Sequence, residues 1–224
     1  MKPFSLNFLV GPRQVGKTTA LKILIQNLIK KRNPKSVFYC SCDELSDYRE
    51  LGETIDNYLA AREEWGINSS LIFLDEITFV EDWWRAVKSR IDRGAFRRDV
   101  LTVTGSSSIE LLAQKERFPG RRGHGRDLYF LPLDFGEYVQ KLGGLDIKRA
   151  PATDLDTVMR CTRANALYAS KISRFFERYL RSGGFPVPVR ELFTDGKVST
   201  ESKKTCLEWL RSDWRKAGKS DAYM

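Results

Sequence analysis

Histidine is almost missing from this chain. His124 is the only one in 224 residues, which excludes His-rich metal sites and most histidine-centred catalytic triads. Cysteine is sparse as well. Cys40 and Cys42 form C-x-C rather than a C-x-x-C pair, and Cys161 and Cys206 stand apart, so zinc spacing is absent and a reducing, cytoplasmic setting is expected. No run approaches the roughly 18 apolar residues of a membrane-spanning helix, and no membrane partner is expected. Asn7, Arg13 and Lys17 interrupt the N-terminus too early for a signal peptide. Internal repeats and low-complexity tracts are also missing.

What remains is an ordinary globular composition, 42% hydrophobic and 30% charged. The 13 Phe, 8 Tyr and 5 Trp suffice for a sizeable core. The length exceeds the usual domain of about 100–150 residues, so one large domain, or one and a half, is expected. Net charge is +9, unevenly spread. Residues 1–112 carry 16 basic and 15 acidic side chains; residues 113–224 carry 22 and 14. The basic C-terminal half permits a polyanionic partner such as nucleic acid, and is equally compatible with a solvated face.

Along the chain, short apolar runs alternate with helical periodicity. Strands are predicted at 4–10, 36–41, 71–74, 100–104 and 128–131. Helices are predicted after residue 17 and at 47–65, 82–95 and 107–115. This alternation predicts βαβ units and an α/β fold with a parallel sheet. The pattern changes near Gly143-Gly144, and the remainder reads as helical, with segments at 171–181 and 201–217. The expected division is 1–144 for the α/β core and 145–224 for a helical region with the start of a further C-terminal one. Because the chain stops directly after a helix-like stretch, a fragment of a longer protein is expected.

The strongest motif is Gly11-Pro12-Arg13-Gln14-Val15-Gly16-Lys17-Thr18-Thr19, a P-loop between strand and helix. Its glycines let backbone N–H groups wrap phosphates, and the helix N-terminus adds a positive dipole. Lys17 is expected on the β- and γ-phosphates, and Thr18 on Mg2+. The apolar run Leu71–Leu74 ends in Asp75-Glu76, a Walker B arrangement. Asp75 is expected in the metal shell and Glu76 as the group that orients and polarises water, which favours hydrolysis over transfer to an acceptor. The strand ending Thr104-Gly105-Ser106-Ser107-Ser108 can present a hydroxyl to the γ-phosphate, or a serine there can cap a helix. The basic, Gly-rich loop Phe118–Arg126 can supply an arginine finger within its own chain or to a neighbour, contact nucleic-acid phosphates, or be a mobile solvated loop. Lys171, Arg174, Arg178 and Arg181 form a helical stripe with the same ambiguity, as do the six basic residues of 85–98. Of Trp83 and Trp84, one is expected in the core and one at an interface.

Taken in order, GPRQVGKTT, LIFLDEI, EDWW, TVTGSSS, GRR, PLDF-x-EY and GGFP resemble the AAA-like P-loop ATPases of archaea and bacteria that carry a C-terminal domain of unknown function, relatives of origin-recognition and STAND-type ATPases. The resemblance covers about residues 4–190. It implies an ASCE-type three-layer sandwich, with an extra strand between the P-loop and Walker B strands, followed by a helical or winged-helix lid. It implies a sensor role for Ser106, with Thr104 as second choice, and an arginine-finger role for Arg121. It also implies adenine contacts at Gly184 and Pro186, with ATP and Mg2+ as cofactors.

The expected function is Mg-dependent ATP hydrolysis driving a conformational switch on a macromolecular partner, with DNA, another protein or a second copy of the chain as candidates. The alternative is a nucleotide-gated binding module with little hydrolysis. A kinase fits poorly because a water-activating Glu would waste ATP. A GTPase fits worse because Asn-Lys-x-Asp is absent.

Overall fold

A computed structural model describes residues 4–216 other than Arg97, Ser107, Ala152 and Thr153, together with Gly218. Ser107 of the sensor segment and the chain end at Met224 lie outside the described residues. Two compact units are present: residues up to 130 with those from 213 on, and residues 131–212.

The first unit is built on five strands: β1 (Ser5–Val10), β2 (Val37–Ser41), β3 (Leu71–Asp75), β4 (Val100–Thr104) and β5 (Asp127–Tyr129). All pair in parallel, in the order β2-β3-β4-β1-β5. β4 therefore lies between β1 and β3, as the resemblance implies. Parallel strands need crossovers, here the helices α1 (Lys17–Leu28), α2 (Tyr48–Glu64), α3 (Trp83–Asp92) and α4 (Ser108–Lys115).

Side-chain alternation sorts the strands between two faces. Leu6, Phe8 and Val10 of β1 join Ile72, Leu74, Leu101 and Val103 in the main core, where α2, α3 and α4 contribute Leu51, Ile55, Trp83, Val87 and Leu111. Leu9 and Phe73 point the other way, onto Leu21 and Ile25 of α1. The result is a three-layer sandwich. Phe8, Trp83 and Phe118 pack ring on ring at 5.7–6.3 Å, each pair worth about 0.5–1.5 kcal/mol beyond its buried area. At the N-terminal ends of β3 and β4, the buried Arg62 pairs with the buried Asp99 at 2.6 Å, and Asp99 also accepts from the Ser70 N–H at 2.7 Å. Helix α3 stops at Asp92 rather than near 95, because Gly94 turns the chain with φ +70°.

The second unit is helical: α5 (Phe135–Gly143), α6 (Leu155–Asn165), α7 (Ala169–Ser182), α8 (Pro186–Asp195) and most of α9 (Thr200–Lys216). Among the described residues it has no strand, so of the two lid types expected it realises the helical one. The division falls at 130/131, earlier than the expected 144/145. Asp134 and Glu137 close a capping box that starts α5 directly after β5. The apolar face of α5 packs on α7: Phe135 and Tyr138 lie 5.5 and 5.2 Å from Tyr179, and Val139 clusters with Ile172 and Phe175. Gly144, with φ +61°, is the C-cap of that helix and not the start of a linker. On α7, Lys171, Arg174, Arg178 and Arg181 are all exposed.

Candidate functional site

The C-terminal ends of β1, β3 and β4 lie side by side, and the expected phosphate-handling residues follow directly from them. After Val10 the chain turns through the P-loop into α1. Gly16 has φ +98°, a conformation that strains any residue with a Cβ. A Cβ on Gly11 would lie 2.0 Å from the Phe130 carbonyl oxygen, because the segment after β5 crosses there, the Phe130 N–H donating to Val10 at 2.7 Å. Gln14 adopts a left-handed φ of +54° without being glycine. No side chain caps α1, and no acidic residue occupies its first turn, so the N–H groups and dipole there favour an anion.

Lys17 is only 5% exposed. Its Nζ donates to the carbonyls of Gly11 (2.8 Å) and Pro12 (3.0 Å). Burial lowers its pKa, and the nearby charges of Glu76, Asp75 and Asp213 oppose that shift. The Ser108 hydroxyl also donates to Gly11, at 2.7 Å. Arg13 carries a buried Nε with no hydrogen-bond partner, an orphaned donor inside a loop whose shape suits phosphate.

Asp75 is fully buried, and each carboxylate oxygen is held. Thr104 donates to Oδ1 at 2.5 Å and Tyr39 to Oδ2 at 3.0 Å. Burial, and then the Asp75 charge, push the Tyr39 phenol up to about 12. Thr104 accepts from the Glu76 N–H at 3.3 Å, which fixes its own proton toward Asp75. Glu76 stands in left-handed backbone, φ 54° and ψ 35°, at the start of a short 3-10 turn, Ile77–Phe79. Such a conformation costs on the order of 1–3 kcal/mol and persists where surrounding contacts hold it. The Ser106 hydroxyl donates to the Glu76 carboxylate.

The fold thus brings Lys17, Thr18, Asp75, Glu76, Thr104 and Ser106 to one end of the sheet. Two further groups, Tyr39 and Ser108, were not singled out as site residues from the sequence. The alternation of β2 allows Tyr39 to face the strand beside it, but only the β2–β3 register, Ser41 opposite Asp75, shows that its hydroxyl meets that carboxylate.

Arg121 is not brought to the P-loop end of β1 in its own chain. Its guanidinium pairs with Asp92 at the end of α3 (2.5 Å) and donates to the Pro119 carbonyl. The loop around it is tied to the start of β1: the Leu6 N–H donates to Arg122, the His124 N–H donates to Phe4, and Gly123 bridges Ser5. The P-loop begins at the other end of that six-residue strand, about 20 Å away. Gly184 and Pro186 lie in the second unit. Gly184 accepts from the Leu133 N–H at 3.1 Å, a Cβ on it would meet the Leu133 carbonyl at 1.9 Å, and Pro186 opens α8 at its first position.

Magnesium prefers oxygen donors and takes few of them from protein. Thr18 and the oriented Asp75 carboxylate offer such a set. Among the described residues no cluster of three or more His, Cys, Asp or Glu would hold a metal unaided, so the donors here fit an ion shared with phosphate oxygens. No helix among the described residues is long and apolar enough to cross a membrane.

The chain is 28% identical over 221 residues to the uncharacterized protein MJ1637 of Methanocaldococcus jannaschii, covering 92% of this chain and 44% of that one, so it spans under half that relative's length. Among solved structures, the Aeropyrum pernix ORC1 protein in complex with DNA matches at 16% identity and TM-score 0.46, over 93% of this chain and 60% of that one. Thermotoga maritima RuvB T158V matches at 18% and 0.41, over 93% and 62%. The assignment rests on neither of these distant likenesses. A family model for the AAA domain matches residues 4–139, more than half of the chain and all of the strands and helices that carry the site. This protein belongs to that family: it is an AAA-like P-loop ATPase domain followed by a helical region.

Proposed function

We propose that this protein binds Mg-ATP at the P-loop and hydrolyses it, using the cycle to switch its interaction with a macromolecular partner. The observation that carries this reading is Glu76, held in left-handed backbone one residue beyond a doubly clamped Asp75 and bonded by Ser106. Lys17 would exchange two loop carbonyls for β- and γ-phosphate oxygens. Arg13 and the α1 N-terminus would add donors to the same anion. Mg2+, when bound by Thr18 and Asp75, would neutralise charge on those oxygens.

The reaction balances simply. Water adds to the γ-phosphorus, the bond to the β–γ bridging oxygen breaks, and Glu76 takes the proton released by the water. Ser106, which holds Glu76, would sense the γ-phosphate, a role its bond to Glu76 supports. Arg121, remote from its own P-loop, would act only on the nucleotide of a neighbouring copy. The assignment of Gly184 and Pro186 to the adenine rests on the family resemblance alone.

A second reading is a nucleotide-gated binding module with little turnover. It is favoured by the bonds that engage Lys17 with its own loop and Glu76 with Ser106. The deciding experiment is ATP turnover with Mg2+ on wild type and Glu76→Gln, with ATP affinity measured separately. Turnover lost in the variant while binding persists supports hydrolysis. Tight binding without turnover in either protein supports the module.

A further inference from the structure

Helix α3 opens on two tryptophans that part company. Trp83 is fully buried. Trp84 is half-buried at the surface, and three cations gather over its ring: Arg117 at 4.6 Å, Arg85 at 5.2 Å and Lys88 at 5.8 Å from the centroid. Arg85 also lies over Tyr48 at 5.8 Å, and Arg49 approaches that ring at the same distance. Four cations from the start of α2, from α3 and from the turn after α4 thus converge on two aromatic rings, all within the first unit.

Their charge is largely unspent. Arg85 pairs with Asp82 at 2.9 Å, the carboxylate that also accepts from the Trp84 indole. Among the described residues, Arg49, Lys88 and Arg117 have no ion-pair partner. The same helix shows the contrast: Arg90 is buried and bound to Asp56 at 2.5 Å, and serves packing. Arg49, Arg85 and Arg117 are exposed on open surface.

Like charges gather this closely at the cost of mutual repulsion. The ring faces offset part of it and hold the cations close together, and guanidinium and ammonium groups grouped in this way suit contacts to phosphate. A nucleic-acid strand presents one phosphate per about 3.4 Å of axis, a charge density that matches cations crowded over one indole. An open surface suits a long convex polymer better than a small anion, which an enclosed pocket would serve.

We propose that the Trp84 platform, comprising Arg49, Arg85, Lys88 and Arg117, binds the phosphate backbone of duplex nucleic acid without reading its sequence. This places the nucleic-acid surface mainly on residues 49–88, in the half of the chain whose net charge is near zero, with Arg117 as the one contribution from the basic half. It does not depend on ATP turnover, and the test omits nucleotide.

The test is fluorescence anisotropy of a labelled 20-base-pair DNA duplex with the full chain at 50–300 mM salt. Wild type should bind with log affinity falling linearly against log salt, by about 0.9 per phosphate contact. Lys88→Gln/Arg117→Gln should weaken binding at least about tenfold at 50 mM salt and flatten the slope by about 1.8; Arg49→Gln alone should flatten it by about 0.9. Lys171→Gln/Arg174→Gln on α7 should leave the slope unchanged. Melting temperatures within error of wild type keep the surface variants interpretable. No binding at 50 mM salt, an unchanged slope in the platform variants, a loss confined to the α7 variant, or competition by polyglutamate as effective as by DNA would each overturn the proposal.

Discussion

Tyr39 donates its hydroxyl to Asp75 across the β2–β3 pair at 3.0 Å, and Thr104 closes the other side of the same carboxylate from β4 at 2.5 Å. A buried anion gripped by two neutral hydroxyls has its lone pairs aimed in advance. Tyr39→Phe removes one grip, worth about 1.5–3 kcal/mol for a bond to a charged group. The expected result is roughly a tenfold fall in ATP turnover, accompanied by a higher Mg2+ requirement, read from a Mg2+ titration. An unchanged Mg2+ dependence would assign Tyr39 to packing.

The same phenol makes a pH prediction. Its pKa is raised in the folded protein to about 12, against the ordinary value near 10. A raised pKa contributes stability that is whole below pH 10 and is lost as pH climbs toward 12. Wild type should therefore lose its stability margin over Tyr39→Phe across that window in urea melts, while the margin stays constant from pH 7 to 9.

Glu76 sets function against backbone comfort. At φ 54°, glycine fits where alanine is strained, so Glu76→Gly should be about 1 kcal/mol more stable than Glu76→Ala. Both should lack turnover. Equal urea midpoints for the two would show that the backbone relaxes when the Ser106 bond is gone.

Arg121 acts, on this structure, on a neighbour or not at all. Lys17→Ala and Arg121→Ala should each be inactive alone, and mixing them should restore part of the turnover, since one supplies the P-loop and the other the finger. A fully active Arg121→Ala would leave the pair with Asp92 as its whole role.

Arg62 and Asp99 form an ion pair buried among Ser70 and Tyr58 at the far end of the sheet. Arg62→Ala strands the Asp99 charge and should cost about 3–5 kcal/mol in chemical denaturation, with ATP affinity preserved at temperatures where the variant stays folded.

The P-loop and the Asp75-Glu76 pair were legible because their chemistry is written in adjacent residues and in the change from strand to helix. The place of β4 between β1 and β3 came through the family resemblance, since parallel order leaves no local trace. Tyr39 was invisible because its contact is a product of register. Arg121 looked like a finger because GRR is basic, and only the hydrogen bonds to Phe4 and Leu6 show which end of β1 holds it. Gly143-Gly144 drew the expected boundary because a glycine helix cap and the start of a linker share a composition. Trp84 and Arg117 are 33 positions apart, and only the packing of α3 beside the turn after α4 brings them together.

The crossing of Phe130 over Gly11 has a mechanical side. Phe130, where the chain leaves the first unit, is hydrogen-bonded to Val10, the residue before the phosphate loop, and the missing Cβ of Gly11 is what lets the two backbones touch. One peptide later the chain enters the helical unit. The start of the phosphate loop is therefore pinned from outside by the strand edge beside it, and a ligand that displaces the Val10–Gly11 backbone has to break that bond or carry Phe130 with it.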